Sequence, residues 1–199
     1  MHRRMTVAAL MAAAALICFV YLRIEVPMAF GLTGKVYFGY TFILIGALLT
    51  GRWYGALAGA VGLTMADLLA GYITSALPTF LSFAVLGYLA GAGADWWRAR
   101  YGETKWMALT VSAVAFTIFA VVEPLIRSTF KYFVLGYPVP MAVGSAGNVF
   151  IASLLCAPAT FILLAVLYPA VRRALPELTQ ALIRDRSKMQ KSAAATTRI

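Results

Sequence analysis

The chain has 199 residues, of which 62% are hydrophobic and only 12% charged. A soluble domain carries about 45–50% apolar and about 25% charged residues, so this chain lacks the polar groups to cover a globule. These proportions exclude an ordinary soluble enzyme and a disordered chain, and leave a polytopic membrane protein built as one domain.

The net charge of +10 comes from 17 Lys and Arg against 7 Asp and Glu. In a soluble protein that excess would suggest nucleic acid. Here the basic residues gather at the N-terminus, in one mid-chain segment and in the tail. That is the pattern of cytoplasmic membrane loops, so no nucleic-acid partner is expected.

Six apolar runs follow in chain order. The first, Met5 to about Leu22, follows Arg3 and Arg4 and reads as a span; no polar mature domain comes after it to make it a signal peptide. The second covers Val36 to Thr50, short enough to be tilted or partly re-entrant. The third runs from Trp53 to Tyr72 and the fourth from about Pro78 to Ala94. The fifth runs from Trp106 to about Leu125 or beyond, and the last from Val149 to about Val171. About 20 residues at about 1.5 Å each cross the roughly 30 Å hydrocarbon core. The expected fold is all-α and integral to the membrane, with six transmembrane helices in a compact bundle.

Six spans put both termini on one side. Thirteen Lys and Arg then fall on the terminal side and four (Arg23, Lys35, Arg127, Lys131) on the other, which makes the termini cytoplasmic. Trp53, Trp96, Trp97 and Trp106 all lie near the cytoplasmic ends and fit an interfacial belt. Residues 1–175 form the membrane domain and 176–199 a basic cytoplasmic tail. The tail is a helix running out of the membrane and fraying, or a contact for anionic lipid.

Several chemistries lack their residues. The one histidine, His2, stands at the terminus, so no His-dependent triad or His-rich metal site can form in a span. Cys18 and Cys156 lie inside apolar runs and read as small buried hydrophobes. Gly144-Ser145-Ala146-Gly147 has its serine one place away from a rhomboid element, and Gly34-Lys35 is followed by Val36, so no Walker A is present. No enzymatic activity, metal or cofactor is expected; recognition or transport is.

Small residues mark helix contacts. Ala8 with Ala12 and Ala9 with Ala13 give Ala-x-x-x-Ala spacings in the first span, suited to this protein's own helices or to a partner. Gly51, Gly55 and Gly59 recur every four residues and read as internal packing, as do Ala90, Gly91 and Gly93.

Polar residues collect on one membrane face. Asp67 in an apolar helix is a functional candidate or an interhelical bond that fixes the bundle. Glu123, Arg127 and Lys131 are each four apart; if the helix continues past Pro124 they share a face, Glu123 pairs with Arg127, and Lys131 is left for a ligand. The bland alternative is an interfacial ion pair with a snorkelling lysine. Asn148 opens the last span, as a cap or as a ligand contact. Tyr37, Tyr40 and Thr41 open the second, and Tyr72, Thr74, Ser75 and Thr79 surround the loop between spans three and four. A pocket among these groups would open outward.

These residues resemble a known family. Lys35-Val-Tyr-Phe-Gly-Tyr40 with its apolar run, Gly51-Arg-Trp-Tyr-Gly-Ala-Leu-Ala-Gly-Ala-Val-Gly62, Ala66-Asp-Leu-Leu-Ala-Gly-Tyr72, Pro78-Thr79, Gly87-Tyr-Leu-Ala-Gly91 and Gly147-Asn148 stand in the order seen in S components of energy-coupling factor (ECF) vitamin transporters. The resemblance covers about Met5 to Val171; Gly51-Arg52 departs from the family's usual Gly-Pro. It implies a six-helix prokaryotic plasma-membrane subunit that binds a vitamin-like small molecule at its outer face. It also implies a partner ECF transmembrane subunit and two cytoplasmic ATPases, with the binding subunit toppling in the bilayer to deliver its cargo. By that resemblance Ala8, Ala9, Ala12 and Ala13 contact the transmembrane subunit. Asp67, Tyr72, Glu123, Arg127, Lys131 and Asn148 contact the ligand, with the first outer loop as lid. The alternatives are a stand-alone secondary transporter with Asp67 or Glu123 as proton site, and a structural membrane protein. No convincing inverted repeat favours the former.

Overall fold

The structure is a computed structural model that describes residues 2–27 and 33–175. Among the described residues are six helices and one hairpin: α1 (His2–Tyr21), β1 (Ile24–Pro27), β2 (Thr33–Val36), α2 (Gly39–Thr50), α3 (Arg52–Leu69), α4 (Ile73–Tyr101), α5 (Met107–Phe133) and α6 (Val139–Ala174). The proposed tail 176–199 lies outside the described residues.

The helices α1, α4, α5 and α6 are long and apolar enough to cross a membrane. The other two differ from the expected spans for physical reasons. With only 12 residues, α2 is about 18 Å long. Eleven of those residues are buried, Ile43, Leu44 and Ile45 completely. A helix apolar on every side belongs inside its bundle, and α2 is the central post around which the others stand. In α3, 18 residues include Arg52 at one end, Asp67 at the other and three glycines between them, Gly55, Gly59 and Gly62. These dilute its apolar character.

Helices α3 and α4 meet backbone to backbone. A Cβ on Gly59 would lie 2.6 Å from the Phe83 carbonyl oxygen, one on Gly91 would lie 2.5 Å from the Arg52 Cα, and one on Gly87 would strike the Gly55 carbonyl. A Cβ on Gly55 would also come 2.5 Å from that of Ala47 in α2. The glycine stripe therefore packs internally, as its four-residue spacing predicts.

The first span's alanines divide differently from the expectation. Ala8 is buried, and Ala12 sits against α3, where a Cβ on Gly62 would come 2.8 Å from its carbonyl oxygen. The Ala8–Ala12 edge thus faces the protein's own bundle, because the glycine-lined α3 draws it in. Ala9 and Ala13 lie on the exposed side.

Three helices begin elsewhere than the apolar runs suggest. The second run's first residues, Val36 to Phe38, precede α2. Pro78 is inside α4, which begins five residues earlier at Ile73. Pro138 caps α6, so Asn148 lies well within that helix and neither opens nor caps it. Pro138-Val-Pro140 sets this start, because proline suits the first helical turn, where its missing N–H has no partner to lose. Gly136, with φ +67°, makes the turn before it. The fifth helix continues through Pro124 to Phe133.

The two-stranded hairpin departs from a purely helical plan. It pairs Ile24 with Val36 and Glu25 with Lys35 in antiparallel register. It stands at the same end as the α3–α4 turn. Arg52, Arg98, Arg100, Arg172 and Arg173 gather at the opposite end, where Arg98 donates to the Leu48 carbonyl and, with Arg172, pairs with Glu103.

Candidate functional site: a charged pocket under the hairpin

A cavity of about 220 Å³ lies between the hairpin and the ends of α3, α4, α5 and α6. Its floor is aromatic. Tyr37 stacks on Tyr40 with centroids 4.8 Å apart, and Phe19 meets Tyr37 edge-on at 4.8 Å. Phe83 is 5.4 Å from Tyr40. The chain brings Tyr37 and Tyr40 here because α2 starts under the hairpin, just after Lys35 and Val36 of β2.

The walls are charged, and the charges are ordered by one hydroxyl. Lys35 of β2 pairs with Asp67 of α3, Nζ to Oδ1 3.3 Å. Arg127 pairs with Glu123 one turn away on α5, Nε to Oε1 3.0 Å. Thr79 of α4 joins the two pairs: its Oγ1 donates to Asp67 Oδ2 at 2.5 Å and accepts from the Arg127 guanidinium at 3.0 Å. Ser153 of α6 donates to the second Glu123 oxygen at 3.0 Å. The path from hairpin to α6 is thus Lys35, Asp67, Thr79, Arg127, Glu123, Ser153. The Asp67 and Glu123 side chains are each only 3% exposed. A buried carboxylate persists only when paired and hydrogen-bonded, and both meet that condition.

Lys131 stands one turn beyond Arg127. Its ammonium donates to Ser145 Oγ at 2.6 Å. The pairing of Glu123 with Arg127, and the exclusion of Lys131 from it, follow from the four-residue spacing.

Of the residues singled out from sequence, Tyr37, Tyr40, Asp67, Glu123, Arg127, Lys131 and Asn148 line this cavity. Tyr72 does not. It stands behind the wall as part of the hairpin's fastening. The Lys35 ammonium lies 3.1 Å from the Tyr72 ring centroid, and the Tyr72 hydroxyl donates to Glu25 at 2.6 Å. Its bond to Glu25 raises the phenol's pKa, and burial adds to the effect. Burial also lowers the Lys35 ammonium to about 8, with Asp67 opposing that shift.

Phe19, Lys35, Phe83, Ser145 and Ser153 also line the wall, where the apolar runs of the sequence do not place them, and Thr79, expected only beside the loop between spans three and four, joins them. Ser145, Asn148, Ala152 and Ser153 have the spacing of one helical face, and a helix started at Pro138 would have revealed it.

Helices long enough to span a bilayer, around one end-on pocket with an aromatic floor and a few fixed polar groups, define a small-molecule-binding membrane protein. Residues 1–172 match the family described as the ECF-type riboflavin transporter, S component, and the chain belongs to that family. It is therefore a membrane protein and a substrate-binding component of an ECF-type transporter. No curated protein matches the chain.

Proposed function

We propose that this protein captures riboflavin or a closely related flavin in the pocket under the hairpin and delivers it into a prokaryotic cell. It does so by reorienting against a partner ECF transmembrane subunit, with two cytoplasmic ATPases supplying the energy. The chain itself carries out no catalysis. The observation that carries this reading is the union of an aromatic floor with a fully ordered polar wall at one end of the bundle. A flat heteroaromatic ring stacks on Tyr37, Tyr40 and Phe83, while its carbonyl, imide and hydroxyl groups find Thr79, Asn148, Ser153 and the charged pairs. Family membership supports the choice of flavin.

In this reading all six helices lie in the plasma membrane as a domain of residues 1–175, with both termini and the basic tail 176–199 cytoplasmic. The arginines at the end opposite the hairpin support that orientation. The exposed face of α1 carrying Ala9 and Ala13 receives the transmembrane subunit. A proton-coupled transporter is less well supported, because Asp67 and Glu123 are both occupied by cations. Co-purification from native membranes, with mass spectrometry of the retained small molecule, tests the proposal. It expects an ATPase complex and a flavin; a chain that purifies alone with an empty or non-flavin pocket contradicts it.

A further inference from the structure

Among the described residues, every charge at the hairpin end except one has an opposite charge beside it. Arg23 pairs with Glu25, Lys35 with Asp67, and Arg127 with Glu123. Residues 28–32, Met-Ala-Phe-Gly-Leu, bring no further charge. Lys131 has no carboxylate partner among the described residues; it donates to Ser145, which is 1% exposed. Tyr137 is held beside it, its N–H bonded to the Lys131 carbonyl and its ring centroid 6.0 Å from the ammonium. Lys131, Ser145 and Tyr137 all line the cavity. The wall therefore carries three cations against two carboxylates. A half-buried ammonium served only by a hydroxyl is poorly compensated for lost water. A ligand anion would supply the missing counter-charge.

We propose that Lys131, positioned by Ser145, is an anion subsite, and that the pocket prefers a phosphorylated form of its ligand to the neutral one. This rests on the flavin reading above. The geometry suits it. Lys131 follows Glu123 by eight residues, about 12 Å along α5. The aromatic floor lies at the Glu123 end, since Phe119, one turn before Glu123, meets both Tyr40 and Phe83. A ring seated there, bearing a hydroxylated chain, brings the far end of that chain to Lys131. A phosphate ester in that place meets the ammonium as a counter-charge; a terminal hydroxyl does not.

The test uses the full chain in phosphatidylcholine nanodiscs, titrated with riboflavin and with riboflavin 5′-phosphate by flavin fluorescence quenching. The wild type should bind the phosphate ester more tightly than riboflavin. Lys131→Gln should weaken the ester about 10- to 150-fold, the range for a charge-assisted bond, and riboflavin by a smaller factor. Lys131→Arg should keep the preference, which separates charge from folding. Equal losses for both flavins in Lys131→Gln would overturn the proposal, as would a wild type that binds riboflavin and rejects the ester. A preference that vanishes in phosphatidylglycerol nanodiscs would assign Lys131 to a lipid headgroup and overturn it too. If neither flavin binds the wild type, the flavin reading fails and the anion subsite falls with it.

Discussion

Thr79 and Asp67 are joined by a hydroxyl-to-carboxylate hydrogen bond, and through it the hairpin's ion pair is connected to the ion pair of α5. The hydroxyl has one proton to give and lone pairs to accept with, so it can serve an anion and a cation at once. Valine has nearly the same shape and can do neither. Thr79→Val should lower stability by about 1–3 kcal/mol, since it strands buried polar atoms on two charged groups. Thr79→Ser should recover most of the loss. Thermal unfolding of the wild type and the two variants in one detergent checks this. Equal melting temperatures for the wild type and Thr79→Val would show that the two pairs stand independently.

Lys35 gives the hairpin end a pH dependence. Its folded-state pKa is about 8, below the usual lysine value, because burial outweighs the attraction of Asp67. A group whose pKa is depressed on folding contributes stability above its unfolded pKa, and that contribution is lost as pH falls through the folded pKa. The window is therefore from the usual lysine value, roughly 10.4, down to about 8. Relative to Lys35→Met, the wild type should gain stability as pH rises through that window. A difference between the two that is flat from about pH 7 to about pH 10 would mean that Lys35 is as well hydrated as a surface lysine.

The contact of α3 with α4 depends on absent side chains. Gly87→Ala would place a methyl on the Gly55 carbonyl, backbone against backbone, where neither side can yield. Overpacking of this kind costs about 1–3 kcal/mol. Gly147 makes the contrast, for a Cβ there meets nothing within 4 Å. Gly147→Ala should be neutral or slightly stabilising, because alanine loses less freedom than glycine in a helix. Unfolding midpoints should fall for Gly87→Ala and hold or rise for Gly147→Ala; similar losses would contradict the close α3–α4 contact.

The fold was legible in the sequence wherever an apolar run was long and its partners were small. Gly55 and Gly59 announced close internal packing of the third helix by spacing alone, although not which helices it meets. The hairpin was not legible: Ile24–Pro27 and Thr33–Val36 are four-residue segments, too short for a pattern of alternation. The start of α6 was hidden for another reason. The stretch from Pro138 to Asn148 holds two prolines and many small residues, which resembles a loop, although Pro138 and Pro140 sit where a helix tolerates proline. At the site, Glu123, Arg127 and Lys131 were legible because they lie on one helix at fixed spacing. Lys35 and Thr79 were not, because their partner Asp67 is 32 and 12 positions away in the chain. Contacts of that kind follow from the bundle's topology and have no periodicity to read.

Orientation and the partner face can be checked on the same protein in cells. Cysteines placed near Ala76, at the hairpin end of α4, should react with an impermeant thiol reagent from outside; cysteines near Ala99, at the other end, should not. Ala9→Leu and Ala13→Leu should impair assembly with the transmembrane subunit and leave ligand binding by the isolated chain unchanged. The added bulk blocks close approach of a second helix. Reversed labelling would invert the topology, and loss of binding with assembly intact would place that face within the protein's own bundle.

Arg127 tests most directly whether the pocket under the hairpin is where the substrate binds. Its guanidinium touches Glu123 and Thr79 at the centre of the wall. Removing it strands a buried carboxylate, a loss of about 3–5 kcal/mol for a broken buried pair. Arg127→Met/Glu123→Met removes both charges together and should spare much of the stability while still disabling the wall. Equilibrium riboflavin titration of wild type, Arg127→Ala and the double variant is the measurement. Tight binding by the wild type and at least roughly a hundredfold weaker binding by the well-folded double variant, about 2.8 kcal/mol, is the expected result. Unchanged affinity in the double variant would contradict the claim and move the site away from this cavity.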